Sequence, residues 1–111
     1  MNPKDKVGLT KPQLWLIPPQ TLIGVSKVFQ SGAKKYGAFN WRDEAIQISQ
    51  YISALYRHVG KFQEGEDLDD ESGLSHLDHA LATLLILRDA MLNDKLIDDR
   101  PPKIKDFNVY K

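Results

Sequence analysis

The stretch Leu74–Leu92, LSHLDHALATLLILRDAML, carries the strongest structural signal in this chain. Its apolar residues recur with the 3.6-residue period of an α-helix, and between residues 81 and 87 only Thr83 is polar. A helix that is apolar on every side is usually buried in the folded protein. The sequence therefore predicts an all-α fold in which a helix from residue 73 to about residue 93 is buried.

Two further helices are predicted upstream of this stretch. Between residues 20 and 33 the apolar residues again follow helical spacing, and Pro19 suits a first helical turn. The next helix is predicted over residues 40–63, with Asn40 as its N-cap and acidic side chains in its first turn. Because the connection over residues 64–72 is short, the last two helices should form an antiparallel hairpin.

The chain is expected to be a single domain over residues 1–111. A proline-rich extended arm (1–18), held on the body by Leu14–Ile17, precedes a helical core (19–95), and an extended tail (96–111) follows it. In so small a chain, the two other predicted helices cannot cover every side of a third helix that is apolar all round. We therefore expect a homodimer or higher homo-oligomer that buries the third helix.

Composition excludes several classes of function. The 111 residues include 15 Lys+Arg and 15 Asp+Glu, a balance that argues against nucleic-acid or membrane-surface binding. No run of 18 apolar residues and no signal-peptide pattern occur, which predicts a soluble cytoplasmic protein. The absence of cysteine excludes disulfides, thiolate metal sites and cysteine nucleophiles.

Potential metal ligands are concentrated in one part of the chain. His58, His76 and His79 lie within 22 residues, and seven of the fifteen acidic residues lie between positions 64 and 79. The predicted hairpin gathers all of them at one end of the bundle. Neutral imidazoles mixed with carboxylates suit Mg²⁺ or Mn²⁺, or zinc with fewer acids. The alternatives are a solvated acidic turn and a core histidine.

The segment GAKKYGAFNWR (32–42) is a second candidate. Its cations lie near the predicted start of a helix, where free backbone N–H groups favour an anion. Its aromatic side chains offer stacking surfaces for a base, although a tight turn with core aromatics would give the same pattern. Arg57 is next to His58 and offers a further cation for a phosphate. Phosphate-loop, dinucleotide-binding and serine-nucleophile motifs are absent, which leaves metal-assisted hydrolysis as the favoured chemistry.

The segments KYGAFNWR (35–42), RH (57–58) and GEDLDDESGLSHLDHA (65–80) resemble a family of small phage and bacterial proteins, the dATP/dGTP diphosphohydrolase N-terminal-domain family. This family is related to the MazG-like all-α nucleoside triphosphate pyrophosphohydrolases. The resemblance covers about residues 18–90. It implies a cytoplasmic, oligomeric helical enzyme that uses one or two Mg²⁺ or Mn²⁺ ions to cut a nucleoside triphosphate, preferably a purine deoxynucleotide, into monophosphate and pyrophosphate.

With this resemblance, roles can be assigned. The expected metal ligands are His58, Glu66, Asp70, His76 and His79. Glu71 or Asp78 is expected to be a further ligand or the base that orients the attacking water. The expected substrate-binding residues are Lys35, Asn40, Trp41, Arg42 and Arg57. The MazG-like motifs EExxE and ExxD are missing, so either the metal ligands differ or the activity does not extend to this chain. Rival hypotheses are an HD-type metal phosphohydrolase and a non-catalytic module that binds a nucleotide or a protein.

Overall fold

The computed structural model describes all 111 residues, and the predicted all-α class is confirmed. The elements in chain order are helix α1 (Pro3–Gly8), α2 (Pro19–Tyr36), α3 (Asn40–Asp43), strand β1 (Ile46–Gln47), α4 (Ile48–Gln63), α5 (His76–Leu92) and strand β2 (Leu96–Ile97), with 3₁₀ turns at Leu14–Leu16 and Phe107–Tyr110. Helix α5 packs against both α4 and α2. No helix has the length and apolar character needed to cross a membrane.

Helix α5 begins where the sequence pattern predicts, within three residues. The Ser75 hydroxyl accepts a hydrogen bond from the Leu77 amide at 3.1 Å and caps the helix. Small side chains bring the neighbouring helices close, since Ala80, Ala82 and Ala90 are all buried in this helix. Gly24 of α2 belongs to the same packing, because a Cβ added there would lie 2.7 Å from a carboxylate oxygen of Asp78.

The single chain does not enclose α5 on every side, and its burial by a second copy stays a prediction. Four leucines form one exposed stripe, and their exposed fractions are between 37% and 47%: Leu77, Leu81, Leu84 and Leu85. Only seven of the 111 residues are buried in the whole structure. The radius of gyration is 17.4 Å, against about 13 Å for a compact domain of this length. The isolated chain therefore leaves much apolar surface in contact with water.

The predicted helix over residues 40–63 is two helices, and Asn40 is not the N-cap of the longer one. Phe39 adopts a left-handed conformation with φ +55°, the four-residue α3 follows, and the chain then extends into β1. Strand β1 pairs in parallel with β2, Ile46 opposite Leu96. These long-range contacts override the local helical propensity and delay the start of α4 to Ile48.

Residues 1–18 are not extended throughout, because they contain α1 and a 3₁₀ turn. The arm also does not bury its apolar residues, since Trp15 is 77% exposed and Leu14 is 74% exposed. The C-terminal tail is better anchored. The Asp99 carboxylate accepts hydrogen bonds from the amide and hydroxyl of Ser49, and so caps the start of α4 with an acid from a distant segment.

Candidate functional site

The predicted hairpin brings all three histidines together. His58 comes from the C-terminal half of α4, and His76 and His79 come from the first turn of α5. The Nδ1 atoms of His58 and His76 are 2.9 Å apart. The rings of His58 and His79 are stacked, with their centroids 4.5 Å apart and their planes 2° from parallel. The three imidazoles, with the acids that contact them, are called the histidine cluster below.

His76 is the inner member of the cluster, and its side chain is fully buried. Its Nε2 lies 2.7 Å from Oε1 of Glu66. An ionised carboxylate can accept hydrogen bonds but cannot donate one. The ring therefore donates Nε2–H to Glu66, and the lone pair of Nδ1 points towards His58. Metal-binding histidines are commonly held in this way by a carboxylate on the other ring nitrogen. Glu66 thus orients His76 and lies on the side of the ring away from His58.

The loop between α4 and α5 contributes Asp69. Its backbone is fixed by hydrogen bonds from its own amide to the Leu74 carbonyl, at 2.8 Å, and from the Gly73 amide to its carbonyl, at 2.7 Å. Its Oδ1 accepts a hydrogen bond from the Glu71 amide, and its Oδ2 lies 3.8 Å from Nε2 of His79. The loop therefore holds the carboxylate over the two stacked rings.

Three of these side chains have the geometry of a metal site. His58, Asp69 and His76 each present one ligand atom, and the three atoms lie within 4.8 Å of one another. His76 is fully buried and the other two are half-buried. Two nitrogens and one oxygen from three different parts of the chain therefore lie close enough together to hold one divalent cation.

The local electrostatics favour the protonation states of His58, His79 and Asp69 that bind a cation. Burial lowers the pKa of His58 and of His79 below the usual value for histidine, the neighbouring His76 lowers both further, and Asp69 opposes the shift without reversing it. The hydrogen bond from the Glu71 amide lowers the pKa of Asp69. At neutral pH the two imidazoles are therefore neutral and the carboxylate is ionised, as metal binding requires.

The histidine cluster opens into a polar cavity of about 620 Å³. We call it the histidine cavity; its walls are Ser31, Lys35, His58, Asp69, Glu71, Ser72, Leu74 and His79. Ser72 Oγ lies 2.8 Å from Nε2 of His79 and so fixes that ring as well. Lys35 reaches the cavity from α2. A cation from one helix thus faces a carboxylate and imidazoles from the hairpin across a space large enough for a polar ligand.

The structure joins some of the predicted site residues and separates others. The cavity and its cluster contain Lys35, His58, Glu66, Glu71, His76 and His79. Outside them lie Asp70 and Arg57, both exposed, and Asp78, whose carboxylate packs beside Gly24. Asn40 and Trp41 line a separate groove, which is described below. The position of Asp78 away from the cavity disfavours it as the base that orients water.

Arg42 has a partner within the chain. Its guanidinium donates two hydrogen bonds of 2.8 Å to the two carboxylate oxygens of Asp89. Nε1 of Trp41 donates to the same carboxylate at 2.7 Å, and the indole is 7% exposed. The Arg42 hydrogen bond, followed by that of Trp41, lowers the pKa of Asp89 to about 2. Both side chains therefore tie α3 to α5.

Sequence reasoning did not assign Asp69, Ser72 or Ser31 to the site. Asp69 was one of several acids in the loop, and nothing in their number favoured it over Asp70. The turn chemistry distinguishes the two acids. The Asp69 carboxylate accepts a hydrogen bond from the amide of Glu71, and Gly73 follows with a positive φ, a combination typical of a tight loop that fixes a carboxylate.

Comparison with known proteins gives one consistent family. A family model described as dATP/dGTP diphosphohydrolase, N-terminal, matches residues 1–100. The dATP/dGTP diphosphohydrolase of Salmonella phage PMBT28 is 36% identical to the chain over 90 residues. That match covers 81% of this chain and 30% of the phage protein, so the chain spans about a third of the length of the relative. No solved structure matches. The chain belongs to the dATP/dGTP diphosphohydrolase N-terminal family.

Proposed function

We propose that this protein is a metal-dependent hydrolase that cleaves purine deoxynucleoside triphosphates to monophosphate and pyrophosphate, with the reaction at the histidine cavity. The observation that carries the proposal is the convergence of His58, Asp69 and His76 within 4.8 Å at the wall of a cavity that also contains a lysine. The phage relative is named a dATP/dGTP diphosphohydrolase, which supports both the proposed substrates and the proposed reaction.

The residues of the cluster fit a divalent cation, and they favour Mn²⁺ over Mg²⁺. Mg²⁺ prefers an octahedron of oxygen ligands, whereas two of the three convergent atoms here are imidazole nitrogens. Imidazole suits the softer transition metals, and Mn²⁺ also accepts carboxylate and water ligands. His58, Asp69 and His76 would hold the ion. When bound, such an ion stabilises negative charge on phosphate oxygens and lowers the pKa of a water ligand.

The remaining residues of the cavity supply binding and proton transfer. Lys35 is positioned to neutralise the phosphates as charge shifts to the leaving pyrophosphate. The Glu71 carboxylate lies on the same cavity and can accept a proton from the attacking water, a role that Asp78 cannot fill from beside Gly24. The position of the Asp78 carboxylate beside Gly24, outside the cavity, argues against the HD-type alternative, which needs an adjacent histidine and aspartate on one ion.

We also propose that the protein is a homo-oligomer that covers the exposed leucine stripe of α5. The chain exposes 9177 Å², whereas a compact monomer of 12.6 kDa exposes about 6,200 Å². The excess of about 3,000 Å² for one chain is at least as large as the surface that each partner buries in an obligate dimer. Light scattering coupled to size exclusion should give a multiple of 12.6 kDa for the wild type. A monomer that carries out the hydrolysis at full rate would contradict this proposal.

The hydrolysis is tested by phosphorus NMR of the products formed from dATP and dGTP with Mn²⁺ and, separately, with Mg²⁺. We expect monophosphate and pyrophosphate, formed faster with Mn²⁺, and no product when the metal is chelated. Tripolyphosphate and nucleoside would contradict the proposal in favour of the HD-type reaction. Absence of any product at enzyme concentrations near that of the substrate would overturn it in favour of a binding module.

A further inference from the structure

A second cavity, called the aromatic groove here, is lined by the same three helices as the histidine cavity, α2, α4 and α5. Its volume is about 520 Å³, and most of its lining is apolar. Its walls include the rings of Phe29, Tyr36, Phe39, Trp41 and Tyr51, with Ile86 at the back. Phe29 and Phe39 pack on Trp41, whereas Tyr36 and Phe39 are more than half exposed and so leave aromatic surface free for a ligand.

The aromatic groove and the histidine cavity follow the same faces of the same two helices. On α4, Tyr51 of the groove precedes His58 of the cavity by seven residues, and on α5 Ile86 of the groove follows His79 by seven. Seven residues are close to two helical turns, or about 10.5 Å along the axis. On α2 the neighbours Lys35 and Tyr36 line the cavity and the groove respectively. The groove is therefore displaced from the cavity by about two turns along the hairpin, a span that a nucleoside triphosphate can bridge.

The lining of the groove selects a flat aromatic ring with polar edges. Rings on several sides offer stacking surfaces, and stacking on aromatic side chains is a general means of binding nucleobases. The Asn40 carboxamide lies on the wall and offers both donors and an acceptor. Burial raises the pKa of Tyr51, so its hydroxyl remains a donor at neutral pH. No lysine or arginine lines the groove, and the one nearby cation, Arg42, lies over the Phe39 ring at 4.6 Å and is paired with Asp89, so the groove suits the base end of a nucleotide and not its phosphates.

We infer that the aromatic groove is the subsite for the purine base of the nucleotide whose phosphates bind at the histidine cavity. The inference rests on the proposed function for the identity of the ligand. It assigns base recognition to Tyr36, Phe39, Tyr51 and Asn40, and it leaves Trp41 as a wall of the groove, because the ring nitrogen of Trp41 is already bonded to Asp89.

The test is equilibrium binding of dGMP, followed by the fluorescence of Trp41. A W15F background removes the exposed tryptophan of the arm and leaves Trp41 as the single reporter. We expect saturable quenching by dGMP with Mn²⁺ present, and binding at least about tenfold weaker for 2-deoxyribose 5-phosphate, which has the phosphate but no base.

Two glycines provide a blocking variant and its control. Gly32 lines the groove, and a Cβ added there meets nothing within 4 Å, so G32L should project a side chain into the groove without disturbing α2. Gly60 of α4 is equally free of neighbours and lines neither cavity, so G60L adds the same atoms elsewhere. We expect G32L to weaken dGMP binding at least about tenfold and G60L to leave it unchanged.

Several results would overturn the inference. They are equal binding of dGMP and deoxyribose 5-phosphate, unchanged binding by a folded G32L, or no saturable quenching at millimolar dGMP. If circular dichroism shows that G32L is unfolded, Y36A takes its place, since the ring is 71% exposed and its loss should weaken dGMP binding about tenfold. This assay needs no turnover, so it tests the groove independently of the proposed hydrolysis. Absence of dGMP binding would overturn the base subsite alone, and absence of hydrolysis with intact dGMP binding would overturn the proposed reaction alone.

Discussion

The two ends of α5 carry two clusters of polar and aromatic side chains that look alike in sequence and differ in structure. At the N-terminal end, the imidazoles of the histidine cluster converge with Asp69 at a cavity. At the C-terminal end, Arg42 and Trp41 are both bonded to Asp89, and we call these three residues the Asp89 anchor. The first cluster brings imidazole nitrogens and a carboxylate together beside a cavity, whereas the second joins its polar atoms directly in one ion pair.

The difference separates the proposed metal site from a structural contact when both contain charged residues. In the Asp89 anchor, two N–H groups of one guanidinium and one indole N–H satisfy a single carboxylate. In the histidine cluster, two ring nitrogens lie 2.9 Å apart, at hydrogen-bond distance, with a carboxylate beside them. Under the proposed function a cation binds among these three groups, whereas the Asp89 anchor has no ligand atom left to offer. The predictions below test this contrast.

The largest effect is expected for H76A. Removal of this buried ring deletes one of the three convergent ligand atoms and leaves Glu66 without its partner. Loss of a residue that only supports a metal ligand lowers activity by up to about 100-fold. Loss of the ligand itself should lower the metal-dependent turnover of dGTP by more than that. Circular dichroism should still show a helical protein. Turnover at the wild-type rate would remove His76 from the site.

A smaller effect is expected for E66Q. The glutamine keeps the size of the side chain but no longer offers a negative charge to Nε2–H of His76. Loss of such an orienting carboxylate typically lowers metal affinity by 10- to 100-fold, so a titration with Mn²⁺ should give a dissociation constant raised by about that factor. An unchanged constant would mean that Glu66 has no influence on the ion.

At the other end of α5, R42A should affect stability and leave catalysis intact. The variant removes both hydrogen bonds that join the guanidinium to Asp89. We expect the midpoint of thermal unfolding to fall by a few degrees, while kcat and KM of the folded fraction stay within about twofold of wild type. A large rise in KM at unchanged stability would return Arg42 to the substrate-binding role predicted from the sequence.

The smallest effect is a change in the pH dependence of stability. The pKa of Asp89 is lowered to about 2 from its ordinary value of 3.8, so its contribution to the free energy of unfolding is complete above about pH 3.8 and is lost as the pH falls through 2. D89N should therefore flatten the stability curve between pH 4 and pH 2.

The control for D89N is D98N. Hydrogen bonds from Arg100, two residues away, lower the pKa of Asp98 to about 2 as well. Because that contact is local, it can persist in the unfolded chain and so contributes less to the difference between the two states. D98N should leave more of the pH dependence in place than D89N does. Equal curves for the two variants would mean that the Asp89 anchor does not stabilise the fold.

Sequence reasoning recovered the elements that depend on local periodicity. Helix α5 was predicted within three residues at either end, and the hairpin that gathers His58, His76 and His79 followed from a short connection. It failed where distant segments decide the conformation. The break before Ile48 depends on the pairing of β1 with β2 and on the bonds to Asp89, neither of which leaves a mark on the local sequence.

The choice among the acidic residues failed for a related reason. Asp69 and Asp70 are neighbours with the same chemistry, and only the turn from Asp69 to Gly73 decides which carboxylate points into the cavity. The burial of α5 on all sides stays a prediction, because the leucine stripe is exposed in the single chain and is covered only if a second copy packs on it.

The most direct test of the account is calorimetric titration of Mn²⁺ into the wild type, D69N and D70N. The two variants remove the same charge at adjacent positions, one inside the histidine cluster and one exposed outside it. The account predicts a saturable site in the wild type, its loss in D69N, and its retention in D70N with an affinity close to wild type. Retention of the site in D69N, or its loss in D70N alone, would contradict the placement of the metal at His58, Asp69 and His76.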